Sequence, residues 1–225
     1  GWNGDFVCKK EADWTKWEGS YEKYIQAYAV MADTLEVDMF CVGLEYRLCV
    51  VPRENFWRDL ILDVREIYSG PITYAANWDN YKKVPFWEEL DFIGINAYFP
   101  LSKKSNPSLE ELKKSYQPIK NEIEKFAHKN EKPVLFTEYG FRSVDKAAGN
   151  QWELPGSHWG SGGTVNLEVQ ENAYRALFET FWKEEWFAGG FLWNWHYDYK
   201  AGGHEDPDYT PQGKPVMQVI RQCYE

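Results

Sequence analysis

The sequence contains no apolar run approaching the ~20 residues that a helix needs to cross a bilayer, because Asp, Glu or Gly soon interrupts every such stretch. Positive charge is also short: 25 Lys and Arg stand against 35 Asp and Glu, a formal net charge of -10. Such a chain repels phosphate backbones and offers no basic stripe, so neither nucleic acid nor a membrane surface is expected as a partner; a neutral or cationic substrate fits better. There are only 4 cysteines, Cys8, Cys41, Cys49 and Cys223. They form no CxxC pair and have no His nearby at zinc-ligand spacing, which removes the structural-zinc and thioredoxin-like readings and leaves their pairing open. No Gly-rich phosphate loop follows any expected strand, and there is no internal repeat, low-complexity segment or linker. Residues 1–225 therefore read as a single domain. No basic segment followed by an apolar one precedes the first motif, so the sequence assigns no compartment.

Aromatic residues make up 18% of the chain, with 12 Trp and 15 Tyr, which fits either a Trp-rich core or sugar stacking. Strand-like and helix-like segments alternate from end to end, as in an α/β protein with parallel strands and helical crossovers. Ser20 can cap a helix over 20–35, and a strand is expected from Val37 to Leu44. An amphipathic helix over 55–68 ends before Ser69-Gly70-Pro71, and strands follow at Ile72 to Asn77 and Phe92 to Tyr98. Ser108 with Glu111 forms a capping box for a helix that Pro118 kinks or restarts. A strand over 133–138 leads into a long loop, expected to be a functional rim, from Gly140 to about Asn166. A helix over 167–185, a strand from Gly189 to Trp195 and a helix from Lys214 complete the chain. Five strands result, whereas a closed (β/α)8 barrel has eight and typically ~250 residues. The expectation is a TIM-barrel type α/β fold holding strands four to eight, with three earlier units of ~30 residues each lacking ahead of Gly1. An open doubly wound sheet is the alternative.

In such folds the chemistry sits at the carboxyl ends of the strands. Strand alternation puts Met39, Cys41, Gly43 and Glu45 on one face, and Val134, Phe136 and Glu138 on another. It does the same for Thr73, Ala75 and Asn77, for Phe92, Gly94, Asn96 and Tyr98, and for Phe191, Trp193 and Trp195. Retaining glycoside hydrolysis needs one carboxylate to attack the anomeric carbon and a protonated second one to assist the leaving oxygen. Two strand-end glutamates meet that need. Asn77 and Asn96 suit sugar hydroxyls, Tyr98 can orient a nucleophilic carboxylate, and Trp195 can stack on a pyranose ring. Trp193, deeper along its strand, reads as core. A lone strand-end Glu is more often a solvated charge, so the argument rests on the pair. Asp79 and Arg142 fit cleft or surface equally, while Lys103 and Lys104 read as surface. His158, His196 and His204 have acidic neighbours, yet match no metal-ligand motif, so no metal is expected.

Several segments carry a family resemblance: Phe-Cys-Val-Gly-Leu-Glu at 40–45, Thr-Tyr-Ala-Ala-Asn-Trp at 73–78 and Asp-Phe-Ile-Gly-Ile-Asn-Ala-Tyr-Phe-Pro at 91–100. Pro-Val-Leu-Phe-Thr-Glu-Tyr-Gly at 133–140, Ala-Gly-Gly-Phe-Leu-Trp-Asn-Trp at 188–195 and Tyr-Thr-Pro-Gln-Gly-Lys-Pro at 209–215 continue it. In order and spacing they resemble glycoside hydrolase family 113, the clan A (β/α)8 enzymes that include β-mannanases. The resemblance implies Glu45 as acid/base at the end of the fourth barrel strand and Glu138 as nucleophile at the end of the seventh. It also implies a polysaccharide or oligosaccharide substrate, no cofactor, and a substrate cleft to which Trp2, Asn3 and Trp78 contribute. The chain departs from many clan members in having Leu44, not Asn, before the acid/base, so Asn77 or Asn96 would stand in for that contact. Alternatives are a non-catalytic carbohydrate-binding homologue, and a fragment completed by a partner chain or a preceding segment.

Overall fold

Charge and periodicity place the first helix. Glu11 and Asp13 sit in its first turn, where acidic side chains favour a helix N-terminus, and α1 runs over Glu11–Thr34. It therefore begins well before Ser20, because Arg53 ties its early turns together: the guanidinium pairs with Glu11 at 2.9 Å and with Glu18 at 2.5 Å. A computed structural model describes residues 1–156 and 162–225. They form two compact units, one of Gly1–Asn96 with Ala127–Leu135, the other of Ala97–Phe126 with Phe136–Glu225.

In the first unit, α1 is followed by β1 (Phe40–Leu44), α2 (Glu54–Ile67), β2 (Ile72–Asn77) and β3 (Phe92–Asn96). β1 starts later than Val37 because the Val37 amide still donates to Ala32 at the end of α1, and Phe40 is the first to donate across to Pro71. β1 and β2 are parallel, but their register shifts between Cys41 and Leu44. β2 and β3 are parallel and pair without interruption from Thr73 with Phe92 to Asn77 with Asn96. The apolar stripe Trp57, Leu60, Ile61 and Val64 of α2 is entirely buried. Trp57 lies at its centre, 5.5 Å between centroids from Tyr74 and 5.9 Å from Phe86.

The second unit holds most of α3 (Leu109–Asn130), the later part of β4 (Val134–Tyr139), α4 (Leu167–Phe181), β5 (Phe187–Leu192) and α5 (Val216–Tyr224). The capping box forms as expected: the Ser108 amide donates to Glu111 at 3.0 Å and the Glu111 amide to the Ser108 hydroxyl at 3.4 Å. α3 continues through Pro118 as one helix. Asn166 caps α4 by accepting from the Val169 amide at 3.2 Å. In the long loop after β4, Val144 and Ala147 form a buried cluster with Val169 of α4. Strand neighbours follow chain order, β1-β2-β3-β4-β5.

β5 is displaced from its expected span and ends at Leu192, before Trp193 and Trp195. The peptide bond between Trp193 and Asn194 is cis. Trp193 is 45% exposed, which corrects its reading as core: it stands past the strand, where the ladder no longer covers it. Among the described residues no helix is long and apolar enough to cross a membrane.

Candidate active site

Glu45 follows β1 directly and its backbone is left-handed, with φ of 55°. For a residue with a Cβ this conformation is costly and persists only where neighbours enforce it. β2 does so from two sides. The Glu45 amide donates to the Ala75 carbonyl at 2.8 Å, and the Tyr46 amide donates to the Tyr74 hydroxyl at 2.8 Å. Two residues earlier, Gly43 lies so close to α2 that a Cβ would meet the Trp57 ring at 2.7 Å. The register shift and the positive φ also correct the simple alternation expected for β1: Cys41 is exposed whereas Gly43 is buried.

The Glu45 carboxyl has a donor on each oxygen. Asn96 Nδ2 donates to Oε1 at 2.9 Å, and the Trp2 indole N–H donates to Oε2. Asn96 ends β3 and is 1% exposed, so its side chain is fixed by burial. Asn77, paired with it in the strand register, turns to Asp79, donating to Oδ1 at 2.9 Å. Trp78 is half-buried in the turn after β2, and Asn3 Nδ2 lies 3.5 Å from the Leu44 carbonyl. Arg47, which the sequence reading passed over, stacks on Trp2 with 4.7 Å from guanidinium carbon to ring centroid. It also pairs with Asp5 at 2.9 Å and Asp79 at 3.7 Å.

Glu138 belongs to the second unit. Tyr98 donates its hydroxyl to Oε2 at 2.8 Å, and the Ala97 amide donates to the Glu138 carbonyl at 2.7 Å. Burial first, then the carboxylate itself, push the Tyr98 phenol well above its ordinary 10, so it remains a donor across the neutral range. Tyr209, which opens the motif at 209–215 but to which the sequence assigns no role, packs edge-on to Tyr98 at 6.4 Å, and burial pushes its phenol up to about 12. Gly140 has no room for a side chain: a Cβ would lie 2.0 Å from the Trp193 carbonyl oxygen. Trp195 is 57% exposed, free to present a ring face.

Arg142 resolves toward structure. It is fully buried, and its guanidinium donates to the carbonyls of Pro155, at 3.0 Å, and Gly162. Among the described residues no group of three or more His, Cys, Asp or Glu is placed to hold a metal ion, and His158 lies outside them. His196 uses its backbone amide to bond Gln212.

A carboxyl held by two neutral side-chain donors, and another held by a phenol, are groups suited to proton transfer and to nucleophilic attack respectively. The model of glycoside hydrolase family 113 matches residues 4–214. A family 113 β-mannanase from Alicyclobacillus acidocaldarius, solved with ManMIm, is similar at a TM-score of 0.82 and 31% identity, over 99% of this chain and 68% of that one. A family 113 β-1,4-mannanase solved as a complex gives 0.81 and 29% identity, over 100% and 69%. A Faecalibacterium prausnitzii β-glucuronidase, at 19% identity and a TM-score of 0.62 over 91% of this chain and 34% of its own, shares the fold alone. No curated protein matches the chain. The parallel α/β arrangement is thus similar to that of family 113 TIM-barrel enzymes, and the chain, a glycosidase by descent, belongs to glycoside hydrolase family 113.

Proposed function

We propose that the chain is a retaining glycoside hydrolase acting on β-1,4-mannan or manno-oligosaccharides, with Glu138 as nucleophile and Glu45 as acid/base. Residues 1–225 are its catalytic domain, and β1 to β5 correspond to strands four to eight of the barrel. The observation that carries the reading is that each glutamate stands at the carboxyl end of its strand with its own fitted donors, Tyr98 on Glu138 and Asn96 with Trp2 on Glu45. Support comes from the similar family 113 structures, which are β-mannanases, two of them solved as complexes.

Glu138 attacks the anomeric carbon while Glu45 protonates the departing glycosidic oxygen; Glu45 then takes a proton from the water that releases the glycosyl-enzyme. Retention requires the two carboxyl groups about 5 to 5.5 Å apart. The chemistry needs no cofactor. Asn77, Trp78, Asn96, Tyr98, Trp195, Trp2 and Asn3 are the proposed sugar contacts. A neutral mannan suits a chain of net charge -10.

The test is hydrolysis of a β-mannan panel, with the anomer of the first product read by NMR, in the wild type and in Glu138→Ala and Glu45→Gln. A retained β anomer and losses of at least about a hundredfold are expected, the scale of general acid catalysis. Inverted product, or unchanged turnover in both variants, would sink the reading. A second reading, a carbohydrate-binding homologue without catalysis, or one completed by a partner chain or preceding segment, draws on the exposed outer strands. Leu44 of β1 is 39% exposed and Phe191 of β5 is 59% exposed. Glycan binding by calorimetry without hydrolysis would favour the non-catalytic form, and a dimer in light scattering the completed one.

A further inference from the structure

The side chains around Glu45 include a cation that the reaction scheme does not use. We infer that Arg47 is a positioning residue for Glu45, acting through the indole of Trp2; the inference rests on the reading of Glu45 as acid/base. Trp2 is the only donor to Oε2 of Glu45 that the described hydrogen bonds give, and the ring that carries it is 39% exposed. A half-exposed indole holds a fixed angle only if its faces are packed. Two contacts on this ring do so. Gly4 is buried against it, so closely that a Cβ there would lie 2.4 Å from the ring, and the Arg47 guanidinium stacks at 4.7 Å from the centroid.

The guanidinium is itself held at its edges. Asp5 pairs with it at 2.9 Å and Asp79 at 3.7 Å, and Asp79 is steadied by Asn77 at 2.9 Å. Arginine alone can do this, since its plane stacks on a ring while its rim donates to carboxylates; the round ammonium of lysine cannot do both. The Arg47 amide also donates to the Glu45 carbonyl at 2.7 Å, so side chain and backbone of one residue act on the same glutamate. The result is a chain of contacts from Asp79 through Arg47 and Trp2 to Oε2, set against Asn96 on Oε1. The two donors fix the plane of the carboxyl group. That plane decides whether its proton lies along a lone pair of the leaving oxygen, and a shift of about 1 Å in such a geometry can cost ~100-fold in rate.

Leaving-group dependence tests this. A sugar leaving group needs a proton from Glu45, whereas 2,4-dinitrophenolate departs without one, and kcat/KM reports the step in which the leaving group departs. In Arg47→Ala and Arg47→Lys, kcat/KM on a manno-oligosaccharide should fall about tenfold or more, while kcat/KM on the corresponding 2,4-dinitrophenyl β-glycoside stays within about twofold. Equal losses on both substrates would show general damage and overturn the inference, as would no loss on either, or full activity in Arg47→Lys. Circular dichroism identifies a variant that fails to fold, and Arg47→Lys, which keeps the charge and most of the side chain, then decides. Glu45→Ala is the control: if it lacks the selective loss, the acid/base reading itself fails, and if it shows the loss while Arg47→Ala and Arg47→Lys do not, only the role of Arg47 falls.

Discussion

At the scale of single residues, what matters is which atom each functional group holds. Tyr98 donates to Glu138 from a phenol that burial keeps protonated. A hydrogen bond to a charged group is worth about 1.5–3 kcal/mol, so Tyr98→Phe should lower kcat on mannan by roughly ten- to a hundredfold. The phenol does not titrate near neutrality, so the fold-loss should be the same at pH 6 and pH 8.5; steady-state kinetics at both values checks this. Sequence alternation placed Glu45, Glu138, Asn96 and Tyr98 at or just past strand ends, where the structure also has them. It could not assign partners. Asn96, expected to meet a sugar hydroxyl, meets Glu45, and Asn77 meets Asp79. Arg47 was invisible for a related reason: a charged residue after a strand is ordinarily solvated, and its partner Asp5 is 42 positions away in sequence.

At the scale of elements, the crowding of β1 against α2 ties catalysis to packing. A Cβ on Gly43 would meet the ring of Trp57, which is fully buried and has nowhere to move. Gly43→Ala should therefore lose about 1–3 kcal/mol of stability in urea denaturation, and should lower activity by shifting the strand end that carries Glu45. Unchanged stability would mean that α2 yields more readily than its packing indicates. Elements with local instructions were legible: the stripe of α2, the Ser108–Glu111 box of α3 and the uninterrupted β2 all appear where the pattern put them. The misplaced ends depend on distant groups. Ser20 resembles a cap, yet Arg53 holds the helix together as far back as Glu11. The aromatic alternation after Gly190 suggested three further strand residues, but the ladder stops at Leu192.

For the molecule as a whole, stability rests partly on a buried cation far from either glutamate in sequence. Lys214, its side chain 0% exposed, donates at 2.8 Å to the Ser143 hydroxyl, to Asp206 and to the Asp208 carbonyl. Lys214→Met would strand those acceptors, at a cost on the order of 3 kcal/mol. For a chain of this size that corresponds to a melting temperature lower by about 6–12 °C. Burial pushes the ammonium below its ordinary 10.5, with Asp206 opposing. The unfolded chain thus holds this proton more tightly than the folded one, and the contribution of Lys214 rises with pH from the lowered value up to 10.5. The gap between wild type and Lys214→Met should widen between pH 7 and pH 10 in thermal melts; a narrowing gap would contradict this. Glu45 sets function against stability. Its left-handed backbone, at φ 55°, is a conformation that costs a side-chain-bearing residue about 1 kcal/mol and glycine almost nothing. Glu45→Gly should remove the proposed acid/base group and relieve this strain in one step, offsetting in thermal melts part of what is lost when Asn96 and Trp2 lose their acceptor. The variant should be a folded, catalytically silent receptor, suited to holding an intact glycan long enough for its bound shape to be recorded.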